Sequence, residues 1–134
     1  MRPKVIILTS IFVTVAFFAC TKKQPVGGWS DIIKLSGKEF NFKSSGDSAL
    51  ITAKGKWWAI NYVGLDTNNI DIYSSTTDAC NFTYIDSNLK IVSKSYDTLF
   101  VKMNANNTNS DRTLHIGFWA GDYHDGIKIV QTKN

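Results

Sequence analysis

The sequence predicts an all-β protein, an immunoglobulin-like antiparallel β-sandwich that follows a signal peptide and a short tether. Three observations carry this. From Asp31 onward the helical period is missing, and runs of alternating apolar and polar residues recur instead. Gly, Asn, Asp and Ser bound these runs at the spacing of a chain that turns after each short strand. Both prolines, Pro3 and Pro25, precede the region, so neither removes a donor from a strand ladder. A small barrel is the alternative arrangement of the same strands.

The elements follow in chain order. Met1-Arg2-Pro3-Lys4 carries two positive charges, and an uncharged run extends from Val5 to Ala19. That run suits the apolar region of a signal peptide and falls short of the roughly 20 residues that span a bilayer. It ends in Phe17-Phe18-Ala19-Cys20, a small residue before cysteine, which resembles a bacterial lipobox. The resemblance implies that Cys20 becomes a diacylglycerol thioether and, after cleavage, the first residue of a membrane-anchored protein. Residues 1–19 are then the signal peptide, 20–30 a lipidated tether, and 31–134 the domain. Candidate strands lie at 32–35, 39–43, 49–54, 58–63, 70–73, 82–85, 89–93, 98–105, 113–119 and 127–131. Leu114, Ile116 and Phe118 share one face of their strand, opposite Thr113, His115 and Gly117. Trp58, in step with Ile60 and Tyr62, reads as a core residue.

Composition narrows the function. Removing residues 1–19 leaves 115, enough for one domain with its own core. Arg2 and Lys4 leave with the signal, so 13 basic residues face 11 acidic ones, and their even spread is no nucleic-acid footprint. With Cys20 lipidated, Cys80 has no disulfide partner and reads as a small buried residue.

The last third carries the most specific pattern. It runs through residues 99–107, ending Asn104-Ala105-Asn106-Asn107, then Arg112-Thr113-Leu114-His115-Ile116-Gly117-Phe118, then Ile127-Lys128-Ile129-Val130-Gln131. This resembles the BACON domain (Bacteroidetes-associated carbohydrate-binding, often N-terminal), and residues 49–60, with Trp57 and Trp58, resemble that family's early strand and tryptophan. Around residues 82–85 the chain departs from the pattern, as a divergent member would. The resemblance implies a sandwich and a carbohydrate ligand. Arg112 and Gln131 suit a scaffold role, bonding loop carbonyls and neighbouring backbone.

The best candidate for binding is the connection at residues 119–126, which gathers Trp119, Asp122, Tyr123, His124 and Asp125. A sugar ring has an apolar C–H face and a rim of hydroxyls, so aromatics beside carboxylates suit it. The plainer reading is a hairpin turn with edge-covering aromatics. Trp57, adjacent to the core Trp58 and facing away from it, is a second candidate platform. His124 with Asp122 and Asp125 lacks a third metal ligand. Asp66, Asn68 and Asp71 resemble a calcium loop, but Ile70 stands at an oxygen-ligand position. Glu39 is the only glutamate, which disfavours paired-acid hydrolysis. Asp47-Ser48-Ala49 and Asp97-Thr98-Leu99 resemble Asp-Ser/Thr-apolar O-glycosylation acceptors.

The expected protein is a monomeric, non-catalytic, lipid-anchored envelope module without cofactor or metal. It binds a glycan or mucin-like polysaccharide, or else serves as a structural spacer or protein-interaction subunit. The basic Thr21-Lys22-Lys23-Gln24 after the cysteine points to the periplasmic face of the outer membrane.

Overall fold

The computed structural model describes residues 30–72 and 81–134. The expected signal peptide, together with Cys20, Trp29, Tyr73 and Cys80, lies outside the described residues. The described chain is all-β. Its strands are β1 (Glu39–Phe42), β2 (Asp47–Thr52), β3 (Ala59–Leu65), β4 (Asn68–Asn69), β5 (Thr83–Ile85), β6 (Leu89–Lys94), β7 (Thr98–Met103), β8 (Arg112–Ala120) and β9 (Tyr123–Gln131). They form a five-stranded sheet in the order β1-β9-β8-β3-β4 and a four-stranded sheet in the order β2-β7-β6-β5. Every pair is antiparallel except β1 with β9.

Alternation decides which residues meet between the sheets. Val63, Leu114, Ile116, Phe118, Ile127 and Ile129 are buried from the five-stranded sheet, and Ile51, Leu89, Ile91, Leu99, Val101 and Met103 from the other. Each such side chain contributes roughly 1.5–3 kcal/mol on burial. Trp58 closes one end. Its ring meets Tyr96 and Phe118 edge-on at 5.9 and 5.4 Å, and its indole N–H donates to the Tyr96 carbonyl at 2.9 Å. Such edge-to-face contacts and a satisfied indole N–H are what let a tryptophan sit fully inside.

The opposite end is held by polar residues. The buried Arg112 guanidinium donates to Gln131 Oε1 through Nε and Nη2, to Asn88 Oδ1 at 3.1 Å and to the Asn104 carbonyl at 2.8 Å. Gln131 Nε2 donates to the carbonyls of Lys43 and Asn104, both at 3.0 Å. Buried Asn106 donates to the carbonyls of Ser110 and Thr132, which shapes the β7–β8 loop. Sequence reasoning had no hydrophobic signal by which to find Asn106.

Three elements differ from expectation. Residues 32–35 are not a strand. Lys34 is left-handed (φ 55°), its N–H is taken by Asp31 Oδ1, and only Leu35 bridges to Ala53. Of the expected strand at 70–73, the described residues 70–72 are not in a strand, and the short β4 folds back on β3 around Asp66. Tyr62 does not join Trp58 inside, because the β3–β8 register shifts between Ile60 and Tyr62 and turns the tyrosine outward.

Candidate functional site

The segment at residues 119–126 is a hairpin, as the plainer of the two sequence readings has it. β8 and β9 pair without interruption from Arg112↔Gln131 to Ala120↔Tyr123, leaving only Gly121 and Asp122 in the turn. Gly121 has φ 62° while Asp122 is not left-handed, as in a II′ turn. Period-two geometry then divides the candidate residues. Trp119 and His124 are cross-strand partners on the outer face of the five-stranded sheet, and Trp119 is 50 % exposed. Tyr123 and Asp125 point to the other side. There Asp125 Oδ2 accepts from Lys38 Nζ at 2.8 Å and from the Tyr123 hydroxyl at 3.4 Å, and Asp31 Oδ2 lies 3.4 Å from the same Lys38 nitrogen. The hydrogen bond to Asp125 holds the Lys38 ammonium above its ordinary pKa, and burial with the neighbouring Asp125 charge raises that of Tyr123. Asp122 is exposed at the tip.

Trp57 stands apart from this hairpin, on the connection between β2 and β3. It is 82 % exposed, left-handed (φ 63°), and leans on Tyr96 at 6.2 Å. No three His, Cys, Asp or Glu side chains converge on a metal position among the described residues. Asp66 accepts a hydrogen bond from the Thr113 N–H at 2.7 Å, so its carboxylate serves the β3–β4 turn.

The register assembles a different site on the outer face of the same sheet. Tyr62, Gly117 and Gly126 form one cross-strand row. Gly64, His115, Lys128 and Glu39 form the next. Both glycines line a trough of about 490 Å³ bordered by Lys38, Glu39, Tyr62, His115 and Lys128; the open floor is at Gly126, since Asn61 and Tyr62 take the space a Cβ on Gly117 would need. The Tyr62 ring lies over Gly64, where a Cβ would collide with the hydroxyl. Asn61, in the register shift, packs its amide against Gly117, and its Oδ1 is buried without a hydrogen-bond partner among the described residues. The side chains of Glu39, His115 and Lys128 make no hydrogen bond or ion pair with other described residues, so their polar atoms are open to a ligand. Trp119 and His124 continue the face beyond the glycines.

An aromatic wall, a flat floor and uncommitted donors and acceptors at one end can hold a ring with a hydroxylated rim. Sequence reasoning missed this trough because its residues come from β1, β3, β8 and β9, and only register brings them together. The one local signal was the alternation of His115, Gly117 and Trp119 on the polar side of β8.

No family model matches the chain, and no curated protein matches it. A solved structure described as "NMR structure of the protein from Bacteroides thetaiotaomicron" is similar, with 22 % identity and a TM-score of 0.64, over 86 % of this chain and 98 % of that one. At that identity the likeness shows the fold.

Proposed function

We propose that this chain is a non-catalytic, lipid-anchored envelope module that binds a short glycan in the trough formed by Tyr62, Gly117 and Gly126. The observation that carries the reading is the glycine-floored trough itself. It sets one aromatic face beside the free polar groups of Glu39, His115 and Lys128. Tyr62 supplies the platform for a sugar's C–H face, and Trp119 with His124 extends the surface for a following ring. The BACON resemblance and the lipobox ending in Cys20 belong to the same proposal, as does attachment to the outer membrane. Strand order supports the immunoglobulin-like assignment, since β3-β8-β9 and β2-β7-β6 correspond to the C-F-G and B-E-D runs of that fold. A trough of this size suits a short oligosaccharide of the kind that reaches the periplasm, in keeping with the basic residues after Cys20.

The test is a glycan panel probed with the mature protein, followed by Gly126→Val and Tyr62→Ala. A Cβ on Gly126 would meet only the Ile116 carbonyl, at 3.4 Å, so valine fills the floor without distorting the strand. Each variant is expected to lose binding by roughly tenfold or more, equivalent to about 1.4 kcal/mol. Binding unchanged in both variants would remove the trough from consideration.

A second reading has its own observation. On the outer face of the four-stranded sheet, Leu50 and Ile85 are 65 % and 61 % exposed, and Phe100 and Val92 lie in register beside Leu50. Lys90 and Lys102 face each other across that surface. An apolar face with uncompensated lysines suits an acidic protein partner. An empty glycan panel, together with an envelope protein cross-linked to wild type and lost in Leu50→Asp, would favour it.

A further inference from the structure

The chain enters the sandwich at the end that carries Trp57. Residues 33–35 lie along the β2–β3 connection, where the Lys54 N–H donates to the Lys34 carbonyl and the Gly55 N–H to the Ile33 carbonyl at 2.9 Å. A Cβ on Gly55 would collide with the backbone of Ile32, so the connection is built around the incoming segment. Trp57 follows immediately. A bulky aromatic in the left-handed region is a conformational outlier, and here it presents its ring to solvent rather than to the core. Tyr96, which supports that ring, is itself left-handed (φ 58°). Lys54 and Lys56 lie on the same connection as Trp57, and exposed Ile32 and Lys34 on the segment bonded along it; none of the three lysines is ion-paired among the described residues. Three exposed acids share this end among the described residues: Asp31, engaged by the Lys34 N–H and by Lys38, and Asp97 and Asp122 on the β6–β7 and β8–β9 turns.

We propose that this end of the sandwich rests on the anionic lipid surface that carries the anchor, with Trp57 seated at headgroup level and Lys34, Lys54 and Lys56 against lipid phosphates. The inference rests on the reading of Cys20 as lipidated. Ser30 lies ten positions after Cys20, a reach of at most roughly 35 Å when extended, so the entry end cannot leave the neighbourhood of the bilayer. Tryptophan is the side chain that partitions to the membrane–water interface, and lysines near it gain from anionic headgroups. The trough opens on the outer face of the five-stranded sheet, with the Trp119–His124 row between its glycines and the β8–β9 turn at this end, so a pose that rests on the end leaves that face open.

The experiment uses the mature protein purified from membranes, with Trp29→Phe as background. It is reconstituted in phosphatidylethanolamine–phosphatidylglycerol vesicles whose acyl chains carry bromine near the headgroup, and mass spectrometry reads the state of Cys20. Trp57 emission is expected to be quenched and blue-shifted, with most of the quenching lost in Trp57→Phe and much of it in Lys54→Glu/Lys56→Glu. Acylated Cys20 with no Trp57-dependent quenching would overturn the docking and leave the anchor standing. Unmodified Cys20 would overturn both. A Trp57→Phe variant that keeps its quenching but loses glycan binding would make Trp57 a sugar platform and overturn the membrane role.

Discussion

Arg112 is the residue on which the polar end of the sandwich depends. Its charge is buried and meets neutral oxygens from β9, from the β5–β6 turn and from the end of β7. A planar fork of donors can serve three directions at once, and lysine cannot. Arg112→Lys is therefore expected to lower stability by about 2 kcal/mol and Arg112→Met by about 3, because each leaves buried acceptors unpaired. Urea denaturation checks this: the midpoint should fall with little change in slope. A midpoint within error of wild type for Arg112→Met would mean that the guanidinium is not a structural tie. The sequence already pointed to Arg112 and Gln131 as scaffold residues, since an arginine opening one strand and a glutamine closing the next suit carbonyl partners. It could not show that the two are register partners, because that follows from a hairpin whose turn begins nine residues beyond Arg112.

At the scale of elements, the legible parts were those with uninterrupted alternation. The runs at 98–105 and 113–119 foreshadow β7 and β8, because one face of each is wholly buried and a slip of one residue would reverse it. The misread parts were those where a single residue breaks the period. Lys34 ends the extended run at 32–35, Asn61 turns Tyr62 outward, and Gly121-Asp122 makes a two-residue turn inside a segment rich in aromatics. That turn explains why Trp119, Tyr123, His124 and Asp125 looked like one site and are divided between two faces. Gly121 is positive in φ, and a Cβ there would meet nothing within 4 Å. Gly121→Ala should thus express backbone strain alone, destabilising by about 1 kcal/mol while leaving the proposed glycan binding at the trough unchanged. A thermal melt beside a binding titration separates the two effects. A loss of binding without loss of stability would mean that the turn itself touches ligand.

For the whole molecule, acid and alkali are expected to weaken the domain through different groups. Burial works to raise the pKa of Asp86, but the Leu89 and Asn88 N–H groups, the Tyr84 hydroxyl and the Arg112 charge together outweigh it. The Asp86 carboxyl therefore lies below its ordinary range. The Lys34 N–H, helped by Lys38, does the same for Asp31. A carboxyl depressed in the folded state contributes stability above its unfolded pKa, and the contribution disappears as pH falls through the folded value. Lys38, Tyr84 and Tyr123 are raised, the first by its bond to Asp125 and the tyrosines by burial. Their contribution is present below the unfolded values of 10.5 and 10.0 and is lost as pH rises through the folded ones. Asp86 ties the β5–β6 turn of one sheet, while Asp31 and Lys38 brace the edge of the other. Because one core joins both sheets, protonating either carboxyl should weaken the whole fold rather than melt a corner. The urea midpoint, followed by tryptophan fluorescence and by far-UV circular dichroism, should fall below about pH 4 with the two probes coincident. Asp86→Asn combined with Asp31→Asn should lower the plateau and flatten the acid limb. An acid limb of unchanged depth in that double variant would assign acid sensitivity to other carboxyls, and separated probes would mean that the two sheets unfold independently.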